Sequence, residues 1–171
     1  MALMVAESLV LIALPLLLAA AAGWDLASFT IPNFLQLGLI GSFAGFAVAA
    51  HLAAPDIGHH LLAGLIGLLI GFTLFALGYV GGGDAKLYAC LLLWLGLRDV
   101  MSYTLLASFL GGMLTLGLMG ARRLPLPPLL ARQGWIARLH DSRAIPYGVA
   151  LSAGAFLLLP GTEIFHLAAG H

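Results

Sequence analysis

Long apolar runs separated by short polar breaks constrain this chain more than any other feature. Six runs read as helices that seek lipid: Leu3–Gly23, Phe34–Ala53, His60–Tyr79, Ala85–Leu97, Ser102–Gly120 and Tyr147–Leu167. Only 8% of the residues are charged and 62% are hydrophobic, whereas a soluble domain is roughly 25% charged. A surface this poor in charge requires the bilayer as its solvent. The expected fold is an all-α polytopic bundle of about six transmembrane helices, forming one domain over residues 1–171.

The joining segments Trp24–Asn33, Ala54–His59, Val80–Asp84 and Arg98–Met101 are short, so neighbouring helices are expected to run antiparallel. Gly41 with Gly45, and Gly67 with Gly71, are small residues spaced four apart on one helix face, which lets backbones approach closely in lipid. Such faces fit a monomer or a homodimer equally. Cys90, the only cysteine, lies in an apolar run and reads as a small buried residue. One thiol makes neither an internal disulfide nor a Cys-rich zinc site. Met1–Ser8 contains no Lys or Arg, so the basic region of a signal peptide is missing and the first run reads as a retained span.

Formal net charge is zero, with seven basic and seven acidic residues, which argues against nucleic acid as a partner. The placement of the charges is more informative. With six spans, Lys86 and the arginines of the fifth joining segment (Arg122, Arg123, Arg132, Arg138 and Arg143) fall on one side of the membrane. Arg98 alone falls opposite, so the positive-inside rule makes the arginine-rich side cytoplasmic. The fifth segment, Ala121–Pro146, opens with Leu124-Pro125-Leu126-Pro127-Pro128, which cannot be regular helix. Beyond it, Leu129, Leu130, Ile136 and Leu139 alternate with Arg132 and Arg138 near Trp135, as in a short helix lying among lipid headgroups. That segment reads as an interfacial anchor in preference to a lid.

Two carboxylates stand on the same face as those arginines. Asp25 follows the first run, and Asp84 follows Gly81-Gly82-Gly83 and opens the fourth. The fourth run spans on the order of 20 Å at 1.5 Å per residue, against about 30 Å of hydrocarbon. Asp84 is therefore expected below the interface, where a carboxylate usually lines a functional, water-filled cavity. The glycines are expected to be non-helical and to let a substrate backbone come close to Asp84. A pair of carboxyls can hydrolyse a peptide without metal or cofactor. Held close, like charges do not both ionise, so one activates water while its protonated neighbour polarises the carbonyl. Plainer roles exist: Asp84 as a helix N-cap, Asp25 as an interfacial residue in water, or both as carriers in a proton-coupled transporter. His51, His59, His60, His166 and His171 map to the opposite side and read as solvated loop residues, making no metal ligand set. Glu7, Asp56, Asp99 and Glu163 share that side and read as interfacial.

Three stretches together resemble the type IV prepilin peptidase family. They are Asp25 followed by Ile31-Pro32-Asn33, then Gly81-Gly82-Gly83-Asp84-Ala85-Lys86-Leu87, then Ile145-Pro146-Tyr147-Gly148-Val149-Ala150. The second fits the family pattern Gly-x-Gly-Asp-x-Lys-Leu, and the resemblance runs through essentially the whole chain. It implies a bacterial inner-membrane aspartyl endopeptidase that removes the basic leader of prepilins and pseudopilins at the cytoplasmic face. Asp25 and Asp84 would be its catalytic pair, with no cofactor and no metal. Gly81, Gly82, Gly83, Lys86, Pro146, Tyr147 and Gly148 match family positions and would shape the site. The chain has neither the cytoplasmic domain nor the Cys-x-x-Cys motifs of long members, so methylation is not expected of it. In this it resembles the short branch serving tight-adherence (Flp) pili. Ala27-Ser28-Phe29-Thr30 lacks the basic residues that short members often carry there. Other readings are a Gly-x-Gly-Asp intramembrane protease of another kind and a small proton-coupled transporter.

Overall fold

The computed structural model describes residues 1–169, and among them every regular element is helical. The first helix, α1, runs over Ala2–Ser28 and is followed by α2 (Asn33–Ala49), α3 (Ala54–Ala76), α4 (Gly82–Leu95) and α5 (Val100–Ala121). Two short helices, α6 (Pro128–Ala131) and α7 (Gly134–Asp141), lie in the long connection, and α8 (Tyr147–Leu158) and α9 (Glu163–Ala169) complete the chain. Three helical stretches are long and apolar enough to cross a membrane by themselves: Ala2–Ser28, Ala54–Ala76 and Leu97–Ala121. The pair formed by α8 and α9, bent by 57°, makes a fourth if counted as one span. The break falls at Leu159-Pro160-Gly161, where proline removes a helix donor.

Helix boundaries depart from the sequence reading where local chemistry extends an element. α1 contains Pro15 yet continues through it, because a π-helical turn at Leu9–Ala13 widens the coil just before the proline. It runs on to Ser28, which puts Asp25 in its last turns and not in a connection. α3 starts at Ala54, with Pro55 and Asp56 in its first turn, so His59 and His60 are helical and not loop residues. α4 starts at Gly82, so two of the three glycines are helical; only Gly81 is extended.

α4 is the axis of the bundle. Ala85 and every residue from Leu87 to Leu95 are buried, as expected of a helix apolar all round. Trp94 donates its indole N–H to the Leu39 carbonyl at 2.9 Å, fastening α4 to α2. Tyr103 does the same between α5 and α8, donating to the Leu151 carbonyl at 3.1 Å. Against α3, small residues set the spacing. A Cβ on Gly67 would lie 3.0 Å from the Ala89 Cα, and one on Gly71 would lie 2.8 Å from the Ala85 carbonyl oxygen. The Gly41–Gly45 face does not serve the same purpose: Gly41 has nothing within 4 Å, and Gly45 meets only a Leu9 methyl.

His60 is buried and not solvated. Its Nδ1 bonds the Leu93 carbonyl at 2.9 Å, and its ring occupies the space that a side chain on Gly96 would take. Gly96 ends α4 with φ +84°, a backbone conformation open to glycine. His51 ends α2 with φ +52°, His166 lies on α9, and His171 falls outside the described residues.

Candidate active site

The antiparallel order brings the C-terminal ends of α1 and α3 and the N-terminal ends of α4 and α8 to one end of the bundle. Asp25 comes from the first of these and Asp84 from the start of α4. Both line one cavity of about 310 Å³, together with Phe29, Thr30, Ile31, Gly81, Gly82 and Gly83. Asp84 lies within electrostatic reach of Asp25.

Asp25 is 3% exposed, and it is held by the start of α8. The Gly148 N–H donates to Asp25 Oδ2 at 2.7 Å. That amide is one of the first-turn donors that a helix leaves free, at its positive end. The approach requires glycine, since a Cβ at position 148 would lie 2.9 Å from Asp25 Oδ2 and 2.8 Å from Ile31 Cδ1. Pro146 provides the break that aims the amide, preceding a helix that begins at Tyr147. The Pro146-Tyr147-Gly148 stretch thereby acquires a structural role that its spacing alone did not give.

Asp84 is half-buried in the first turn of α4. It is the third helical residue and not the cap, and its Oδ2 accepts the Gly81 N–H at 3.3 Å. Gly83 packs against the chain itself: a Cβ there would lie 3.3 Å from the Ile31 backbone nitrogen. Asp84 is also recessed. Gly71 packs level with Ala85, and α3 continues five residues beyond it to Ala76, or about 7 Å at 1.5 Å per residue.

Two residues of α2 hold this start of α4 in place. Gln36, buried in an otherwise apolar turn, donates from Nε2 to the Gly83 carbonyl at 3.2 Å. Lys86 donates from Nζ to Asn33 Oδ1 at 3.1 Å. Sequence reasoning missed Gln36. Its signal was there, a lone amide in Phe34-Leu35-Gln36-Leu37 with nothing nearby in the sequence to bond. Tyr147 packs its ring on Gly111 and shares a second groove with Asp84. The connection between α5 and α8 is tied to the same end. Arg138 Nη1 donates to the Ala27 carbonyl at 2.8 Å, two residues from Asp25, and Arg122 Nη2 to those of Leu139 and Ala144 at 2.9 and 2.8 Å.

At the opposite end, Asp56, His59, His60, Arg98, Asp99 and Glu163 border a separate cavity of about 570 Å³. The ion pair there, Arg98 to Glu163 at 3.5 Å, is exposed and contributes little. Among the described residues no group of three or more His, Cys, Asp or Glu is placed to hold a metal ion.

Among the described residues the fold is that of an all-helical membrane protein, with two acids lining one cavity at one end of the bundle. The type IV leader peptidase family model matches residues 12–116, more than half of the chain, and the chain belongs to that family. Asp25 and Asp84 both fall within the match, while Pro146, Tyr147 and Gly148 lie beyond it. No curated protein and no solved structure matches the chain.

Proposed function

We propose that this chain is a membrane aspartyl endopeptidase that cleaves the leader of Flp-type prepilins and pseudopilins, with Asp25 and Asp84 as its catalytic pair. The observation that carries the reading is the shared cavity: two carboxylates remote in sequence line one opening, and a helix-terminal amide holds one of them. Family membership supports the leader-peptidase activity. Departures from the long-member pattern support the Flp branch.

In the proposed reaction the ionised member of the pair takes a proton from water, and the resulting hydroxide adds to the scissile carbonyl carbon. The neutral member donates its proton to the carbonyl oxygen. Collapse of the tetrahedral intermediate breaks the C–N bond: the proton taken from water passes to the leaving amine, and one hydroxyl of the intermediate returns a proton to the carboxylate that had donated, leaving a carboxylic acid product. The pair begins each turnover with one proton between them, and water is the only co-reactant.

The topology we infer has six spans, with the shorter α2 and α4 crossing as well, and residues 1–171 as a single domain. Arg122, Arg123, Arg132, Arg138 and Arg143 lie in the connection at the Asp25 end, which supports a cytoplasmic active site in the bacterial inner membrane. Arg122 and Arg138 are held by backbone carbonyls, and the exposed Arg123, Arg132 and Arg143 face anionic lipid in this reading, since a basic leader has no affinity for them.

Co-expression with a Flp prepilin tests the assignment, with the pilin followed by gel shift and N-terminal sequencing. The unmodified chain should cleave, and Asp25→Asn and Asp84→Asn, at matched membrane levels, should not. Cleavage surviving both substitutions would sink the catalytic pair. Intact prepilin with the unmodified chain, across several prepilins, would favour a proton-coupled transporter, whose uptake would collapse with the proton gradient.

A further inference from the structure

α3 packs chiefly on α4, and a groove opens on each side of it. The groove between α2 and α3 is the larger, about 620 Å³, and includes Asn33, Gln36, Leu65 and Lys86. Neither carboxylate lines it. The groove between α3 and α5 is about 160 Å³ and is mostly apolar, bordered by Gly71, Leu74, Tyr88, Ser108 and Tyr147, with Asp84 at one end. Asp84 thus lines both this groove and the cavity it shares with Asp25. It stands where a polar opening at the end of the bundle meets an apolar one along its side.

We propose that the groove between α3 and α5 receives the first two turns of the substrate's apolar helix, while the leader occupies the cavity beside Asp25. The proposal rests on the peptidase reading above and specifies where its substrate docks. A prepilin is polar before the cleaved bond and apolar after it. Only a path that changes character at the catalytic carboxylates can seat both halves at once. The smaller groove does so, and the larger one does not.

The dimensions agree. From Gly111 to Thr104 the groove follows seven residues of α5, about 10 Å at 1.5 Å per residue, or about two helical turns. It is closed beyond them by the Tyr88 hydroxyl and Thr104 Oγ1, 2.6 Å apart, which join α4 to α5. Gly71, Ala107, Ser108 and Gly111 keep its walls low, so an incoming helix can bring its backbone near. Ser108 is exposed at its edge, on a helix whose lipid-facing side also carries Leu105.

The test uses the full chain in membranes with a co-expressed Flp prepilin. Ser108→Trp fills the groove from its α5 edge and leaves both carboxylates in the sequence. It should lower the cleavage rate at least about tenfold, equivalent to roughly 1.4 kcal/mol of lost docking energy. Leu105→Trp, on the outer face of the same helix, should leave the rate unchanged. In parallel, benzoylphenylalanine in place of Leu74, on the opposite wall of the groove, should crosslink to the pilin, and at Leu65 in the other groove it should not. Pilin adducts from position 65 and none from 74, adducts with lipid alone at both, or full activity of Ser108→Trp would each overturn the groove assignment while leaving the peptidase intact. Failure of the unmodified chain to cleave would overturn the peptidase reading, and the docking site with it.

Discussion

Gly148 and Asp25 lie 123 residues apart in the sequence and are joined by one hydrogen bond of 2.7 Å, from the amide of the first to Oδ2 of the second. The bond ties the last turns of α1 to the first turn of α8 and fixes the orientation of the more deeply buried acid. Gly148→Ala is expected to break it. The added methyl carbon would lie 2.9 Å from the carboxylate oxygen and 3.0 Å from Asp25 Cβ, so the acid or the helix must move. A displacement near 1 Å can cost on the order of 10²-fold in rate. Prepilin cleavage at matched membrane levels should therefore fall by about that much. Full activity in Gly148→Ala would mean that the amide positions nothing the reaction needs.

A second positioning contact runs from Gln36 to the Gly83 carbonyl at 3.2 Å. Gln36→Leu keeps the apolar packing and removes the donor. The expected loss of stability is that of one ordinary hydrogen bond, about 0.5–1.5 kcal/mol. Thermal unfolding in detergent should register a small decrease, and cleavage should fall by more than the stability change accounts for, since Gly83 precedes Asp84. A drop in stability with unchanged cleavage would make Gln36 a packing residue only.

Much of this was legible before any coordinates. Long apolar runs announced helices, whereas the packing of the glycine triplet on the chain's own Ile31 had no signal in the sequence. Asp25 and Asp84 came forward because carboxylates are rare in such a chain. Element ends were harder. Pro15 sits inside a helix because a π turn precedes it, and Ala54-Pro55-Asp56 looked like a connection although proline and aspartate suit a first turn. His60 was read as solvated because its partner, the Leu93 carbonyl, is remote in sequence. The Gly148 amide was invisible for the same reason. A backbone donor has no side-chain signature, and only the fold says which acid it meets.

The glycine faces give a paired prediction. Gly71→Val would place its Cβ 2.8 Å from the Ala85 carbonyl oxygen, one residue past Asp84. The cost of such overpacking is about 1–3 kcal/mol, and α3 and the start of α4 must separate. Gly41→Val meets nothing within 4 Å and should be tolerated. Unfolding temperatures of both variants in the same detergent check the contrast. Equal losses would show that the two faces pack alike in the membrane.

The connection over the site carries a pH dependence of its own. In α7, His140 Nδ1 faces Asp141 Oδ1 at 3.2 Å and Nε2 faces the Leu124 carbonyl at 3.0 Å. Both partners accept, so the ring is fully satisfied only when both nitrogens carry protons. The Asp141 hydrogen bond, followed by the Leu124 one, raises the His140 pKa above its usual 6.5. A raised folded-state pKa means that the contact stabilises α7 fully below the unfolded value and weakens as pH climbs through the folded one. Arg138, on the same short helix, holds the Ala27 carbonyl, so loosening α7 loosens the edge of the site. Limited proteolysis within residues 122–146 should accelerate as pH rises from about 6 to about 8, near the histidine range. His140→Ala should cleave at the faster rate throughout, and Arg138→Ala should be faster at every pH while keeping the pH trend. A flat profile for the unmodified chain would show that the imidazole does not hold this segment.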